Sequence, residues 1–362
     1  MEKRNNPDLI KGRGAPDNLV PTRFNLNQRI ADGDWLDQRD ELDGGPPSLK
    51  TTVTEEFAKS ILSFNSSPDV PFDRSVNAYR GCEHGCVYCF ARPTHAYHDM
   101  SPGQDFESRL FAKPNAAEIL RKTLAKPGYR PAPIAIGTNT DPYQPIERTY
   151  RITRSILKLM VDTSHPIVIT TKSARVLEDM DYLTELAVRQ LTGVAISVTS
   201  LDPKIARTLE PRASSPATRL AAVRKLAEAG VYAHVNIAPI IPGITDHEIE
   251  AIVAAAAENG ASSISWIPVR LPHEVAPLFR SWLDAHFPDR ASKVMNQIRD
   301  MRGGKDNDPE FFTRMKGQGP WADLIRARMK IAARKHGLDG SKWNVRSDLF
   351  VAPNLDGQLS LF

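Results

Sequence analysis

The sequence predicts an α/β protein: a parallel sheet of six strand–helix units, preceded by an irregular arm over residues 1–60 and followed by a basic helical extension over residues 290–350. Three observations predict it. From about residue 73, short apolar or β-branched runs alternate with helix-length stretches. Runs such as Pro133-Ile134-Ala135-Ile136 lack a polar face, which fits strands covered on both sides. Gly230 and Gly260 stand just past the last turn of two expected helices, where a left-handed residue is wanted.

The elements follow in order. The arm is rich in Gly, Pro, Asn and Asp, and Gly12-Arg13-Gly14-Ala15-Pro16 reads as a turn within it. Arg13 lies either in a surface loop or folded over an active site. Strands are expected over Ser75–Tyr79, Ile134–Thr138, Ile167–Thr171, Val194–Thr199, Tyr232–Pro239 and Ser263–Val269. Helices fit between and after them at Ala116–Leu124, Thr149–Asp162, Ser173–Arg189, Pro216–Ala229, Asp246–Asn259 and Glu274–His286, with Thr245 as an N-cap. Alternation of this kind makes a parallel sheet, either doubly wound or a partial barrel. In both, chemistry belongs at the C-terminal ends of the strands. The core is expected over 61–289, with a flexible tail over 351–362.

Composition narrows the class. A hydrophobic share of 41% in 362 residues supports a full core without disulfides. No run of about 18 apolar residues predicts a membrane helix. The first residues lack the apolar stretch of a secretory leader, so a cytoplasmic location is expected. Charge is uneven. Residues 290–350 hold 14 Lys and Arg against 7 Asp and Glu, so an acidic partner such as DNA would meet that segment. Within it, Trp321–His336 reads as an amphipathic helix with Trp321, Leu324, Ile325, Met329 and Ala332 on one side. Its basic positions serve either a solvated face or phosphate binding. Phe311, Phe312 and Trp343 are core residues or base-stacking ones.

The only three cysteines, Cys82, Cys86 and Cys89, fall within eight residues. That cluster is a poor disulfide framework and suits a metal in a reducing compartment. Thiolates are soft ligands for an iron–sulfur cluster, Zn or Cu(I). Three thiolates leave one iron of a cubane cluster open to a chelating small molecule. The rivals are a Zn site using His84 and plain structural cysteines.

The spacing Cys-x3-Cys-x2-Cys, with Tyr88 before the third cysteine, resembles the radical S-adenosylmethionine (SAM) signature. The segments NAYRGCEHGCVYCFARPTH from Asn77, SPGQDFESRLFAK from Ser101, GTNTDPYQPIE from Gly137 and LEPR from Leu209 resemble the spore photoproduct lyase and DNA repair photolyase-like subgroup. The resemblance implies a partial (β/α)6 TIM-type barrel. It also implies a [4Fe–4S] cluster on Cys82, Cys86 and Cys89 whose open iron binds SAM. Reductive cleavage then yields methionine and a 5′-deoxyadenosyl radical, and the protein positions and shields this chemistry. An electron donor such as flavodoxin or ferredoxin would be needed.

Residue by residue, the resemblance implies Tyr88 near the adenine, with a core aromatic as its alternative. Gly137, Thr138, Asn139, Thr140 and Asp141 take the place of the motif that holds the SAM amino group. Asp141 would be an acceptor there or a loop cap. Lys172 balances the SAM carboxylate or opens a helix in solvent. Ser197 and Thr199 meet the ribose or bond neighbouring backbone. Arg212 binds a carboxylate or substrate, and Pro242 marks an adenine–backbone contact.

The lyase returns a hydrogen atom through a further cysteine, which this chain lacks. Tyr143 is the candidate donor in its place, or the reaction differs. With no further cysteines, auxiliary clusters are excluded. The C-terminal peptide Gln358-Leu359-Ser360-Leu361-Phe362 resembles the peptide by which bacterial repair proteins bind the sliding clamp, its rival being a tail tucked onto its own domain. The expected function is a radical SAM enzyme acting on nucleic acid in a DNA-repair-like reaction. The alternatives are one modifying a small molecule or protein, and a non-catalytic metal-binding interaction module.

Overall fold

A computed structural model describes residues 12–15, 18–19, 49–339 and 344–355. Trp343 and the peptide Gln358–Phe362 lie outside the described residues.

Among the described residues, ten strands form two sheets: β1 (Thr52–Glu55), β2 (Leu62–Phe64), β3 (Arg74–Val76), β4 (Tyr79–Arg80), β5 (Arg109–Ala112), β6 (Ile134–Ile136), β7 (Ile167–Thr171), β8 (Thr192–Ser197), β9 (Tyr232–Ile240) and β10 (Ser263–Pro268). The larger sheet runs β10-β9-β8-β7-β6-β3-β2, and its six strands from β3 to β10 are parallel. A helix follows each of the six: α1 (Ala116–Leu124), α2 (Ile152–Thr163), α3 (Met180–Val188), α4 (Pro216–Glu228), α5 (Ile249–Glu258) and α6 (Val275–His286). After these come α7 (Pro288–Asp300) and α8 (Gly319–Lys335).

Spatial order equals chain order, which decides between the two expected topologies. A doubly wound sheet reverses direction at a switch point. Here every crossover advances one strand the same way, and crossovers of one hand put the helices on one face. The result is a (β/α)6 partial barrel. It is left open, because β10 pairs only with β9 and the other edge ends on β2, antiparallel to β3.

The pleat separates the two faces of each strand. Ile167, Ile169, Val194, Ile196, Val235 and Ile237 join Ile156, Met160, Leu186, Val223 and Val253 of the helices in one core. Their alternates Val168, Thr170, Ala195, His234 and Asn236 line a cavity of about 680 Å³ on the concave side. Helix α8 covers part of it with Met329, Lys330 and Ala333.

Several expectations shift. The first strand is not continuous: β3 stays in the barrel, and the chain crosses at Asn77 into a second sheet, β1-β5-β4. Thr52–Glu55, inside the segment read as irregular, is a strand because it pairs in parallel with β5. Thr245 does not cap its helix. Its hydroxyl accepts from Ile241 N at 2.9 Å instead, closing the turn after β9. The buried stripe of α8 is Ala322, Ile325, Met329, Ala332 and Ala333, while Leu324 is exposed. Gly230 and Gly260 have φ of 74° and 77°, the left-handed helix ends expected of them. Among the described residues, no helix is long and apolar enough to cross a membrane.

Candidate functional site: the cysteine loop and its surroundings

The three cysteines occupy the loop that leaves β4, at the C-terminal end of the barrel strands. Neighbouring segments hold this loop through its backbone. Cys82 N donates to Phe106 O at 2.9 Å and Val87 N to Leu209 O at 3.1 Å. Gly81 O accepts from Thr140 Oγ1 at 2.6 Å and Gln144 Nε2 at 3.2 Å, and Gln144 Oε1 accepts from Glu83 N at 2.9 Å. Arg212 donates its backbone N–H to His84 O at 3.2 Å and pairs with Glu83 at 3.2 Å. Arg92 Nε donates to Cys86 O at 2.8 Å.

Beneath the loop lies a buried ion pair, Arg92 with Glu107 at 2.5 Å. The Glu107 carboxylate also accepts from Gly14 N at 2.9 Å and Ala15 N at 2.8 Å, so the N-terminal arm straps the loop from behind. Arg13 donates to Glu107 O at 2.6 Å and to Thr51 Oγ1 at 3.1 Å, and Thr51 in turn donates to Glu83 at 2.6 Å.

All three thiols are free, and burial pushes each above its ordinary value. Negative charge on Cys86 or Cys89 would raise Cys82 further, so the three lie within electrostatic reach of one another. Three thiolates in such a place need a positive centre among them. Among the described residues, no three His, Cys, Asp or Glu side chains converge as ligands of one ion. His84 Nδ1 lies 3.3 Å from Asp141, without hydrogen-bond alignment. His84 thus has the Asp141 carboxylate as its neighbour. Three soft thiolates that leave one position open suit an iron–sulfur core.

Behind the trio sits a second knot of charge. Glu210 is buried between Arg219 and Lys172, the latter 3.6 Å away. It accepts from the hydroxyls of Tyr88 and Thr199 as well. Burial alone would raise its carboxyl, but Arg219, Lys172 and the two hydroxyls outweigh that and hold it at about 2. One carboxylate against two cations leaves a surplus positive charge. Lys172 is the more exposed cation, at 16% against 1% for Arg219. Its ammonium lies over the Tyr88 ring, 5.8 Å from the centroid. It also opposes the burial-driven rise of the Cys86 and Cys89 thiols.

The 137–141 loop is tightly built. Gly137 has φ of 91°, and a β-carbon there would stand 2.0 Å from Thr170 O. Asn77 Oδ1 accepts from Asn139 N at 3.0 Å and Thr138 Oγ1 at 3.3 Å. Both Asp141 oxygens are engaged, by Thr171 Oγ1 at 2.6 Å and by Lys172 N at 2.8 Å. Burial opposes the charge on Asp141, yet His84 and these donors hold it at about 2. Asp141 thus ties the ends of two strands together, as a loop cap does.

Tyr88, Lys172 and Thr199 come together around Glu210. Ser197 joins through its carbonyl, which accepts from Arg219 at 3.0 Å. Thr199 bonds Ala238 O at 3.0 Å besides Glu210, the backbone alternative to a ribose contact. Arg212 is 36% exposed at its side chain and sits on Glu83, apart from this knot. Pro242 is buried in the turn after β9.

The Tyr143 hydroxyl donates to Asp179 at 3.0 Å, buried in the core between sheet and helices. Sequence reasoning missed Glu107, Arg92, Gln144, Glu210, Arg219 and Asn77. All but Arg219 lie inside the resembling segments, but nothing local marks them as partners.

The profile of the Radical SAM superfamily matches residues 76–256, half the chain, with the cysteine loop at its start. The chain belongs to the radical SAM superfamily. The family uses a [4Fe–4S] cluster and SAM, and this radical SAM enzyme presents three free thiols, two buried and one partly exposed, where the family motif falls. It is 35% identical over 253 residues to uncharacterized protein Rv2578c of Mycobacterium tuberculosis, covering 68% of this chain and 74% of the relative. It is 29% identical over 173 residues to uncharacterized protein MJ0683 of Methanocaldococcus jannaschii, covering 48% and 62%. Among solved structures it resembles a mutant spore photoproduct lyase with bound AdoMet and dinucleoside spore photoproduct. That likeness has a TM-score of 0.54 at 17% identity over 86% of this chain and 85% of the other. At that identity it speaks for a shared fold.

Proposed function

We propose that Cys82, Cys86 and Cys89 hold the [4Fe–4S] cluster and that this enzyme acts on nucleic acid in a repair-like reaction. The observation that carries the first part is the trio of free thiols in one loop, with Lys172 in electrostatic reach of Cys86 and Cys89. When bound, cluster and SAM supply an electron and a 5′-deoxyadenosyl radical. The chain's own residues do the rest. Lys172, held by Glu210, offers its ammonium to the SAM carboxylate. Tyr88 presents its ring, and the 137–141 loop presents backbone carbonyls to the SAM ammonium. The strap at Gly14 and Ala15 keeps water from the back of the loop.

The nucleic-acid reading draws on the basic 290–350 segment, whose helix α8 brings Arg326 and Lys330 to the cavity wall. It draws also on the fold shared with a lyase bound to a dinucleoside photoproduct. A cavity of about 680 Å³ suits one extruded nucleotide, since a stacked base would not reach the site. The hydrogen return would differ from the lyase's, because the sequence holds no fourth cysteine. Docking of Gln358–Phe362 on a sliding clamp would bring the enzyme to DNA.

The test is anaerobic reconstitution with iron and sulfide, followed by dithionite and SAM, with damaged oligonucleotides added. Formation of 5′-deoxyadenosine supports the radical chemistry, and its stimulation by one oligonucleotide supports the substrate class. Stimulation by a small molecule or protein alone would favour the alternative substrate classes.

A further inference from the structure

Three arginines meet past the C-terminal end of β10, and two of them are held by several oxygen acceptors, although the Arg302 Nε, like that of Arg270, is buried without a partner. Arg314 forks onto Asp69 at 2.7 and 2.6 Å. Arg302 donates to four backbone carbonyls, those of Thr313, Arg314, Pro268 and Val269, at 2.8 to 3.4 Å. Arg270 is different. It touches no carboxylate among the described residues; its one hydrogen bond is to the Met315 sulfur at 3.3 Å. Its Nε is buried without a partner. Its guanidinium stands over the ring of Phe90, 5.8 Å from the centroid, next to Cys89. Burial and the nearby Arg314 disfavour its charge, more than Asp69 and Asp308 at longer range favour it.

A half-buried cation with no carboxylate in direct contact is costly unless a ligand completes it. The surroundings indicate which ligand. Met315 lines the barrel cavity, so Arg270 stands between that cavity and the cysteine loop. Phe90 is exposed beside it, and so are Phe312 and Phe311, whose ring lies under the neighbouring Arg314, 4.7 Å from the centroid. Phe312 is held at φ of 66°, a left-handed conformation that a bulky residue rarely adopts, and its N–H donates to Asp69 at 3.0 Å. Exposed rings beside an arginine fork are the means by which proteins take a phosphodiester and stack its bases.

We propose that Arg270 is the substrate-phosphate residue of this enzyme, and that its ligand is a phosphodiester of a nucleic-acid strand whose flanking bases lie against Phe311 and Phe312. The proposal rests on the nucleic-acid reading above and assigns that reading a residue. The guanidinium fork grips the phosphate, and the adjoining nucleotide enters the cavity past Met315.

The test uses the reconstituted holoenzyme and a labelled single-stranded oligodeoxynucleotide, with anisotropy read over a salt series. R270Q is expected to weaken binding roughly tenfold and to reduce the salt dependence by about one ion. The double variant F311A/F312A is expected to weaken binding by roughly tenfold with the salt dependence intact. R270K, which keeps the charge but loses the fork, should restore the salt dependence and only part of the affinity. Cluster absorbance and thermal midpoint show whether each variant is folded. Wild-type affinity and salt dependence in R270Q would overturn the proposal while leaving the nucleic-acid reading standing. Absence of wild-type binding at low salt would overturn both. Competition by polyglutamate as strong as by unlabelled oligonucleotide would overturn the assignment to phosphate.

Discussion

A β-carbon on Gly14 would stand 1.6 Å from the carbonyl oxygen of Gly85, inside the loop between Cys82 and Cys86. Two backbones far apart in sequence touch here with no side chain between them. The contact allows Gly14 N and Ala15 N to reach the Glu107 carboxylate under the same loop. Gly14→Ala is therefore expected to lift the strap, at a cost of about 1–3 kcal/mol, the usual penalty for overpacking. Cluster absorbance of the variant should bleach several-fold faster in air than that of the wild type. Equal bleaching rates would show that the strap does not shield the loop.

Glu107 is the single carboxylate beneath the loop, and Arg92 beside it is fully buried. Removing one member of a buried pair leaves an uncompensated charge, so Glu107→Ala should destabilise the protein by about 3–5 kcal/mol. Thermal unfolding of the variant measures this. A shift typical of an exposed residue would mean that Arg92 finds another partner.

Lys172→Met removes the cation proposed for the SAM carboxylate and leaves Glu210 paired with Arg219. Loss of a charge-assisted hydrogen bond of about 1.5–3 kcal/mol raises the SAM Kd by roughly one to two powers of ten. Anaerobic calorimetry reads it. An unchanged Kd would assign Lys172 to Glu210 alone.

Tyr143→Phe is expected to leave the rate of 5′-deoxyadenosine formation unaltered, because its hydroxyl serves Asp179 in the core. Stability should fall by about 1 kcal/mol, the worth of a typical hydrogen bond. A large loss of product turnover with a retained thermal midpoint would restore Tyr143 as a hydrogen donor.

Acid should destabilise the fold through its buried histidines. Burial lowers His95 and His165 from 6.5 to about 4, more than their backbone hydrogen bonds raise them. His165 Nδ1 donates to Pro166 O at 2.9 Å, so its Nε2 accepts from Tyr129 at 2.9 Å as a neutral ring. A depressed folded pKa means that the unfolded chain binds the proton first. Stability is complete above pH 6.5 and is lost as pH falls toward 4, by on the order of 3 kcal/mol for each ring. Denaturant melts between pH 7 and 4 should show this slope, and His165→Gln should remove part of it. An equal slope in the variant would place the acid sensitivity elsewhere.

Sequence alone determined the things that depend on near neighbours. Cys82, Cys86 and Cys89 are bound by their spacing to one loop. The alternation of β-branched runs and helical stretches marks six strand–helix units, because burial repeats with the period of each element. Gly230 and Gly260 end their helices for a purely local reason of backbone sterics. The tertiary structure alone decided the rest. It put strand order in register with chain order, which turned a parallel sheet into an open barrel. It also joined Tyr143 to Asp179, and brought Gly14 against Gly85 and Glu210 between Lys172 and Arg219. These pairs are set by which segments meet in space, and a buried charge and its distant partner leave no periodic trace along the chain.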